Sequence, residues 1–142
     1  MKAMIKIFIF IILVTNLSKC EKAVMDKRYA VYIKNNAEHS IGAYFALGGK
    51  LGTLFPDTIL PETKQYVITE IKPNTIYIYD SGIKWEEIFL KLPKDTMSVY
   101  IFHTDTLYKY PWERIRDDYM ILKRYDLSLE DLQDLNWAIT YP

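Results

Sequence analysis

The sequence predicts a mainly β fold bordering on α+β, a small antiparallel sandwich or open barrel with two or three short helices. Three patterns carry the expectation. Tyr29, Val31 and Ile33 alternate with Ala30, Tyr32 and Lys34, and Ile41, Ala43, Phe45 and Leu47 repeat the alternation, which is the period of a half-buried strand. Residues 98–103, Ser-Val-Tyr-Ile-Phe-His, are apolar on both faces, as a strand in the middle of a sheet system requires. Helical spacing is confined to short stretches beginning near Trp85, Pro111 and Ser128. Twelve Tyr, six Phe and three Trp supply a core, because each ring buries about 150–250 Å².

In chain order, the strand from Tyr29 runs into Asn35-Asn36-Ala37-Glu38-His39-Ser40, a polar turn, and the strand from Ile41 follows, so the two are expected to form a hairpin. Gly48-Gly49-Lys50-Leu51-Gly52 ends the second strand as a loop. Phe55-Pro56-Asp57 and Leu60-Pro61 predict an irregular connection, because proline cannot donate to a central ladder. Residues 65–71 and 76–79 are β-rich runs on either side of the turn Lys72-Pro73-Asn74-Thr75, and Asp80-Ser81-Gly82 closes the second. Trp85, Ile88, Phe89 and Leu92 fall at i, i+3, i+4 and i+7, one stripe of a helix that Pro93 stops. The strand at 98–103 comes next, and then Pro111 opens a short helix in which Trp112, Ile115 and Tyr119 share a side.

Residues 119–125 are expected to be a strand. Ser128 and Asp131 then have the spacing of a capping box, and Leu127 and Leu132 that of a hydrophobic staple. Leu129, Leu132 and Leu135 give this helix its apolar face, and Asn136 suits a left-handed ending. Trp137, Ile139 and Tyr141 alternate in a last strand.

Residues 1–19 predict an export signal. Lys2 and Lys6 precede an apolar run over residues 7–14, far short of the roughly 20 residues that span a bilayer as a helix. The run leads to Leu17-Ser18-Lys19-Cys20, which resembles the lipobox of bacterial lipoproteins, where the cysteine is acylated and becomes the first residue. Lys19 departs from the Gly, Ala or Ser usual before that cysteine. Cys20, the single cysteine of the chain, is thus the expected lipidation site. A tether over residues 20–27 and one β-rich domain over residues 28–142 follow from this division. The competing reading is a secreted protein cut near Ser18 or Lys19. If the anchor forms, each buried CH₂ contributes about 0.8 kcal/mol, so two or three acyl chains hold the domain at the membrane without a membrane-binding surface of its own.

Cleavage would remove Lys2, Lys6 and Lys19 from the 18 basic residues, leaving 15 against 18 acidic ones and a net charge near −3. Nucleic acid demands a basic footprint, so it is not an expected partner. The expected partners are the membrane, through acylated Cys20, and an envelope protein or glycan.

Residues 122–133, Leu-Lys-Arg-Tyr-Asp-Leu-Ser-Leu-Glu-Asp-Leu-Gln, followed by Asn136-Trp137 and Ile139-Thr140-Tyr141-Pro142, resemble the closing segment of a group of small lipoproteins from Bacteroides and its relatives. Phe55-Pro56-Asp57-Thr58 with Leu60-Pro61 resembles their middle segment. The resemblance implies a lipoprotein of a Gram-negative cell envelope. It carries over no functional residues.

Catalytic patterns are sparse. A metal centre needs about three or four clustered ligands, whereas His39 falls in a turn and His103 at a strand end, where ordinary hydrogen bonding explains both. There is no G-x-S-x-G elbow, and residues 48–52 lack the P-loop spacing. Glu86 with Glu87 and Asp117 with Asp118 are adjacent on helices, so they diverge by about 100° and are read as solvated. Lys123-Arg124 beside Asp126 is read as surface charge. No cofactor motif is present. Trp85, Tyr108, Tyr110 and Trp112 are the candidate ligand surface, since an exposed ring presents an apolar face to a sugar; their helical placement favours core packing over that use. The expectation is a non-enzymatic, lipid-anchored envelope protein that binds another envelope component. Glycan binding through aromatic residues is the alternative, and a hydrolase with an unrecognised site is a weaker third.

Overall fold

The computed structural model describes residues 29–48 and 53–142; the signal, Cys20 and most of the glycine loop lie outside the described residues. The class is the expected one, mixed α+β and mostly strands. The strands are β1 (Ala30–Asn35), β2 (Ile41–Ala46), β3 (Ile68–Ile71), β4 (Thr75–Asp80), β5 (Thr96–His103), β6 (Lys123–Ser128) and β7 (Ala138–Tyr141). The helices are α1 (Trp85–Phe89), α2 (Thr104–Lys109), α3 (Trp112–Asp117) and α4 (Leu129–Asp134). One sheet has the order β4-β1-β7 and the other β3-β2-β5-β6. Every pair is antiparallel except β1 with β7, which run parallel because α4 returns the chain across the sandwich.

The expected hairpin between β1 and β2 does not form, because the two strands belong to different sheets. Their alternation is satisfied in another way: Val31 and Ile33 of β1, and Ile41, Ala43 and Phe45 of β2, all enter one core between the sheets. Asn35 holds the corner where the chain crosses. It is fully buried, its Nδ2 donates to the carbonyls of His39 and Ile71, both at 2.9 Å, and its Oδ1 accepts from the Ala37 amide at 3.0 Å. The bond to Ile71 ties this corner to the next one, since β3 and β4 also lie in different sheets. Asn74, with φ of 56°, makes the reversal there.

The four-stranded sheet is covered on both faces. Met97, Val99 and Ile101 of β5 pack into the inter-sheet core with Trp85, Phe89, Leu132 and Trp137. On the opposite face, Tyr44, Tyr100 and Phe102 pack against Leu60, Val67, Leu107, Trp112 and Ile115. The run at 98–103 is accordingly the mid-sheet strand its composition predicts, flanked by β2 and β6. Close approach on the second face requires Gly42: a Cβ there would meet Leu107 Cδ1 and come within 2.8 Å of the Ile68 carbonyl oxygen.

Three boundaries differ from the sequence expectation. Residues 64–66 form a single 3-10 turn, so β3 begins only at Ile68. α2 follows β5 directly; it buries only Thr104 and Leu107, too few residues to make a stripe in sequence. β6 starts at Lys123, not Tyr119, because residues 119–120 close α3. Tyr119 is left-handed at φ 50°, its amide donates to the Arg116 carbonyl at 3.2 Å, and the Met120 amide donates to that of Ile115 at 2.9 Å. These are the paired bonds of a Schellman ending.

The same ending terminates α4, where the sequence expectation holds. Asn136 lies at φ 52°, its amide donates to the Gln133 carbonyl at 2.9 Å, and the Trp137 amide donates to that of Leu132 at 2.7 Å. At the other end of α4, the Asp131 amide donates to Ser128 Oγ at 3.1 Å and the Ser128 amide donates to Asp131 Oδ2 at 2.7 Å, completing the capping box. Ser128 Oγ also donates to Asp131 Oδ2 at 2.7 Å; this bond first, and the one from the Ser128 amide second, hold the Asp131 carboxyl below its ordinary value. Leu127 and Leu132 are both buried in the inter-sheet core.

Candidate functional site

The structure separates the four aromatic residues singled out in the sequence. Trp85 is 0 % exposed and sits in the inter-sheet core, its ring 6.3 Å from Phe89 and 6.0 Å from Tyr79. Trp112 is 7 % exposed in the second core, where its Nε1 donates to the Pro61 carbonyl at 2.8 Å and its ring meets Phe102 edge to face. Neither tryptophan presents a face to a ligand, and the two lie on opposite sides of the four-stranded sheet, so a joint platform is not assembled. Packing claims them because a tryptophan ring buries more area than any other side chain. Tyr108 is exposed and Tyr110 half-buried, and each ring already lies beneath a cation: Lys64 over Tyr108 at 5.5 Å, Arg114 over Tyr110 at 4.9 Å.

A different set of rings lines a groove. It lies where the C-terminal end of β2 meets β4, bringing together Tyr44, Phe45, Leu47 and Gly48 from β2 and its exit, Tyr79 from β4, and Tyr66 from the 3-10 turn. This cavity measures about 160 Å³. A second, of about 240 Å³, shares Leu47 and Tyr79 with it and continues past Ser81, Ile83 and Ile88 to Lys91. β2 places Tyr44 and Phe45 on opposite faces of its sheet, so the groove opens where both cores reach the surface. Phe45 and Tyr79 are stacked, with centroids 4.3 Å apart, and Tyr66 is exposed at the mouth.

Burial pushes the Tyr44 phenol above its ordinary value, with Tyr79 nearby adding to the shift; burial also raises Tyr79, with Tyr77 adding. Both hydroxyls therefore stay neutral through the physiological range. The groove offers the exposed Tyr66 ring and the half-buried Tyr79 ring for stacking, with Tyr44 and Phe45 as buried walls and neutral hydroxyls that donate and accept; among the described residues, Lys91 is the charged side chain lining it. These are the contacts that suit a neutral, polyhydroxylated ring. Sequence reasoning missed it because its residues come from three separated segments. The available signal is Tyr44 at the outward parity of an otherwise apolar strand.

The two histidines, 64 positions apart in sequence, also meet. Their rings stack with centroids 4.5 Å apart and planes 8° from parallel, and Tyr141 approaches His39 edge to face at 6.2 Å. His103 caps α2, its Nδ1 accepting from the Asp105 amide at 3.1 Å. The His39 Nε2 is buried with no hydrogen-bond partner among the described residues. The register of β2 against β5, which sets Ile41 opposite His103, brings the pair together. Among the described residues, no group of three or more His, Cys, Asp or Glu side chains is placed to hold a metal ion.

Of the carboxylate pairs read as solvated, Asp118 is bound by Arg114 at 3.2 Å, whereas Glu86 is half-buried: it lines an open groove of about 540 Å³ with Asp95, Ser128 and Glu130, and its Oε2 is enclosed with no hydrogen-bond partner among the described residues. Arg124 is not a free cation: its Nε donates to Asp126 Oδ1 at 2.7 Å and its Nη2 to Ser98 Oγ at 3.2 Å, and its guanidinium lies over the Tyr100 ring. The phenol beneath is pushed up to about 12, mainly by burial and against the opposing pull of Arg124.

Comparison of the chain with protein-family models, with curated proteins and with solved structures finds no match. Among the described residues, no helix is long and apolar enough to cross a membrane.

Proposed function

We propose that this protein is a binding module of the cell envelope, not an enzyme, anchored by an acylated Cys20 and recognising a neutral glycan in the groove of Tyr44, Tyr66 and Tyr79. The observation that carries the binding reading is the groove itself, where the exposed Tyr66 ring, the half-buried Tyr79 ring and neutral hydroxyls converge at one end of the sandwich. A stacked ring contributes more than the burial of its area alone, and hydroxyls paired within a groove add selectivity for one arrangement of sugar hydroxyls. The address rests on the apolar run over residues 7–14 that leads to Cys20, and the net charge near −3 of the processed chain favours uncharged or cationic ligands over polyanions.

Titration of the protein with neutral oligosaccharides, followed by tyrosine fluorescence and calorimetry, tests the ligand class. Saturable binding that Tyr66→Ala weakens about tenfold, the loss of roughly one stacking contact, supports it. Binding that is unchanged by Tyr66→Ala removes the groove from the proposal. The anchor is tested separately by metabolic labelling with a palmitate analogue. Label on the wild-type chain that disappears in Cys20→Ala is the expected result, and label that persists in the variant overturns it.

A further inference from the structure

Four strands lie at sheet margins, and three of them have features that keep a further strand from pairing. β3 is four residues long, with its register against β2 shifted between Ile41 and Ala43. β6 carries Lys123, Arg124 and Asp126. β7 is four residues long and Pro142 follows it. Short length, broken register, charge and proline are the ordinary protections of an open edge. β4 is the least protected: it runs Thr-Ile-Tyr-Ile-Tyr-Asp, pairs regularly with β1 over its six residues, and carries a charge only at its end.

Its backbone is ready to pair. The Ser81 amide donates to the Tyr29 carbonyl at 2.9 Å, so the alternation of an antiparallel ladder turns the N–H and C=O groups of Ile76, Ile78 and Asp80 away from β1. The side chains of Ile76 and Ile78 are 58 % and 43 % exposed on the outward face, beside Lys34 and Tyr32 respectively. Among the described residues, no strand pairs with this margin.

We propose that β4 pairs antiparallel with β4 of a second copy of this chain, joining two three-stranded sheets into one of six strands. A second copy, not a foreign peptide, is the occupant because the edge matches itself in both shape and charge. A two-fold axis through Ile78 sets Ile78 against Ile78 of the second copy and Ile76 against its Asp80. Lys34, adjacent to Ile76 on β1, then shares a row with that Asp80, within reach of a long side chain, and symmetry makes the charge pair twice. An axis through Tyr77 keeps the faces aligned but leaves each Asp80 opposite Asn74, with no charge match. The favoured register places Gly82 opposite Asn74, and a Cβ at Gly82 would have nothing within 4 Å, so the margin is unobstructed there. One strand on each side is a narrow contact, in the class of reversible assemblies that bury less than about 1,200 Å².

Cysteine cross-linking of the full chain tests this. Wild type, whose one cysteine is Cys20, sets the background. Ile78→Cys puts two thiols directly opposite across the axis, with Cα atoms about 5.5 Å apart and within disulfide reach. Ile76→Cys puts them about 14 Å apart, beyond it. Both positions are exposed, so both variants keep the fold, which circular dichroism verifies. The expected result is a disulfide-linked dimer from Ile78→Cys at a yield about tenfold above both Ile76→Cys and background. Adding Asp80→Lys to Ile78→Cys lowers the yield, and adding Lys34→Asp as well restores it. Equal yields at the two positions, no yield above background at Ile78→Cys, or failure of the double charge exchange to restore cross-linking overturns the proposal.

Discussion

The two sheets are made of the same kinds of residue but meet solvent differently. β2 and β5 are buried along almost their whole length, because the four-stranded sheet has the other sheet on one face and the loops and helices around Leu60, Leu107 and Trp112 on the other. β4 alternates between exposed and half-buried positions, because the three-stranded sheet is covered on its inner face alone. The first sheet is therefore the scaffold, where a change of one methylene is felt; the second is free to present side chains and backbone to a partner. The groove of Tyr44, Tyr66 and Tyr79 opens where the two meet, so it combines rigid walls from β2 with access from the margin of β4.

The comparison can be broken most forcefully by truncating one apolar side chain in each sheet. Phe102→Ala, in the doubly covered sheet, is expected to destabilise the protein by about 3–5 kcal/mol, and Ile78→Ala on the open face by less than about 1 kcal/mol. Urea unfolding of the two variants reads the difference directly, and equal losses would mean that the two sheets are covered alike. Next in size is the corner that divides the sheets. Asn35→Ala leaves the buried Ala37 amide and the Ile71 carbonyl without this partner, at an expected cost of about 2–3 kcal/mol, again by urea unfolding.

A smaller effect is expected at the start of α4, where the chain leaves the four-stranded sheet. Ser128→Ala removes the helix cap and should cost about 1 kcal/mol near neutral pH. Its pH dependence has a definite sign. Because the Asp131 carboxyl is depressed in the folded state, its stabilising contribution is present above the unfolded value of 3.8 and is lost as pH falls through the lower folded value. Ser128→Ala should therefore flatten the acid limb of the stability profile below about pH 4, measured by thermal melts. Smallest in stability is Tyr66→Ala, expected to change unfolding by less than about 0.5 kcal/mol while weakening glycan binding, since its ring is exposed at the mouth of the groove.

Local features of the fold were legible in sequence; sheet membership was not. Ser128-x-x-Asp131 and Asn136 begin and end α4 as their chemistry dictates, and the two-faced apolar run of β5 lies mid-sheet. These depend on neighbours within a few residues. A hairpin and a crossing between sheets, by contrast, share one alternation pattern, so β1 and β2 look the same either way. What decides between them is Asn35 bonding to Ile71, 36 residues on. The long-range pairing of β2 with β5 likewise creates the His39–His103 stack, and three distant segments create the tyrosine groove. Trp85 and Trp112 went to the cores, the reading their helical placement favoured over a ligand surface, since a large apolar ring gains more from burial than from display. Cys20 and the export signal lie outside the described residues, and their reading rests on sequence.

Native-state hydrogen exchange followed by NMR tests the division between scaffold and open margin most directly. The amides of Val99, Ile101 and Phe102 in β5 should exchange only through global unfolding, at a rate independent of protein concentration. Those of Ile76 and Ile78 in β4 should exchange orders of magnitude faster in dilute solution and slow progressively as concentration rises and the second copy covers them. Equal protection of β4 and β5 at every concentration would contradict the account.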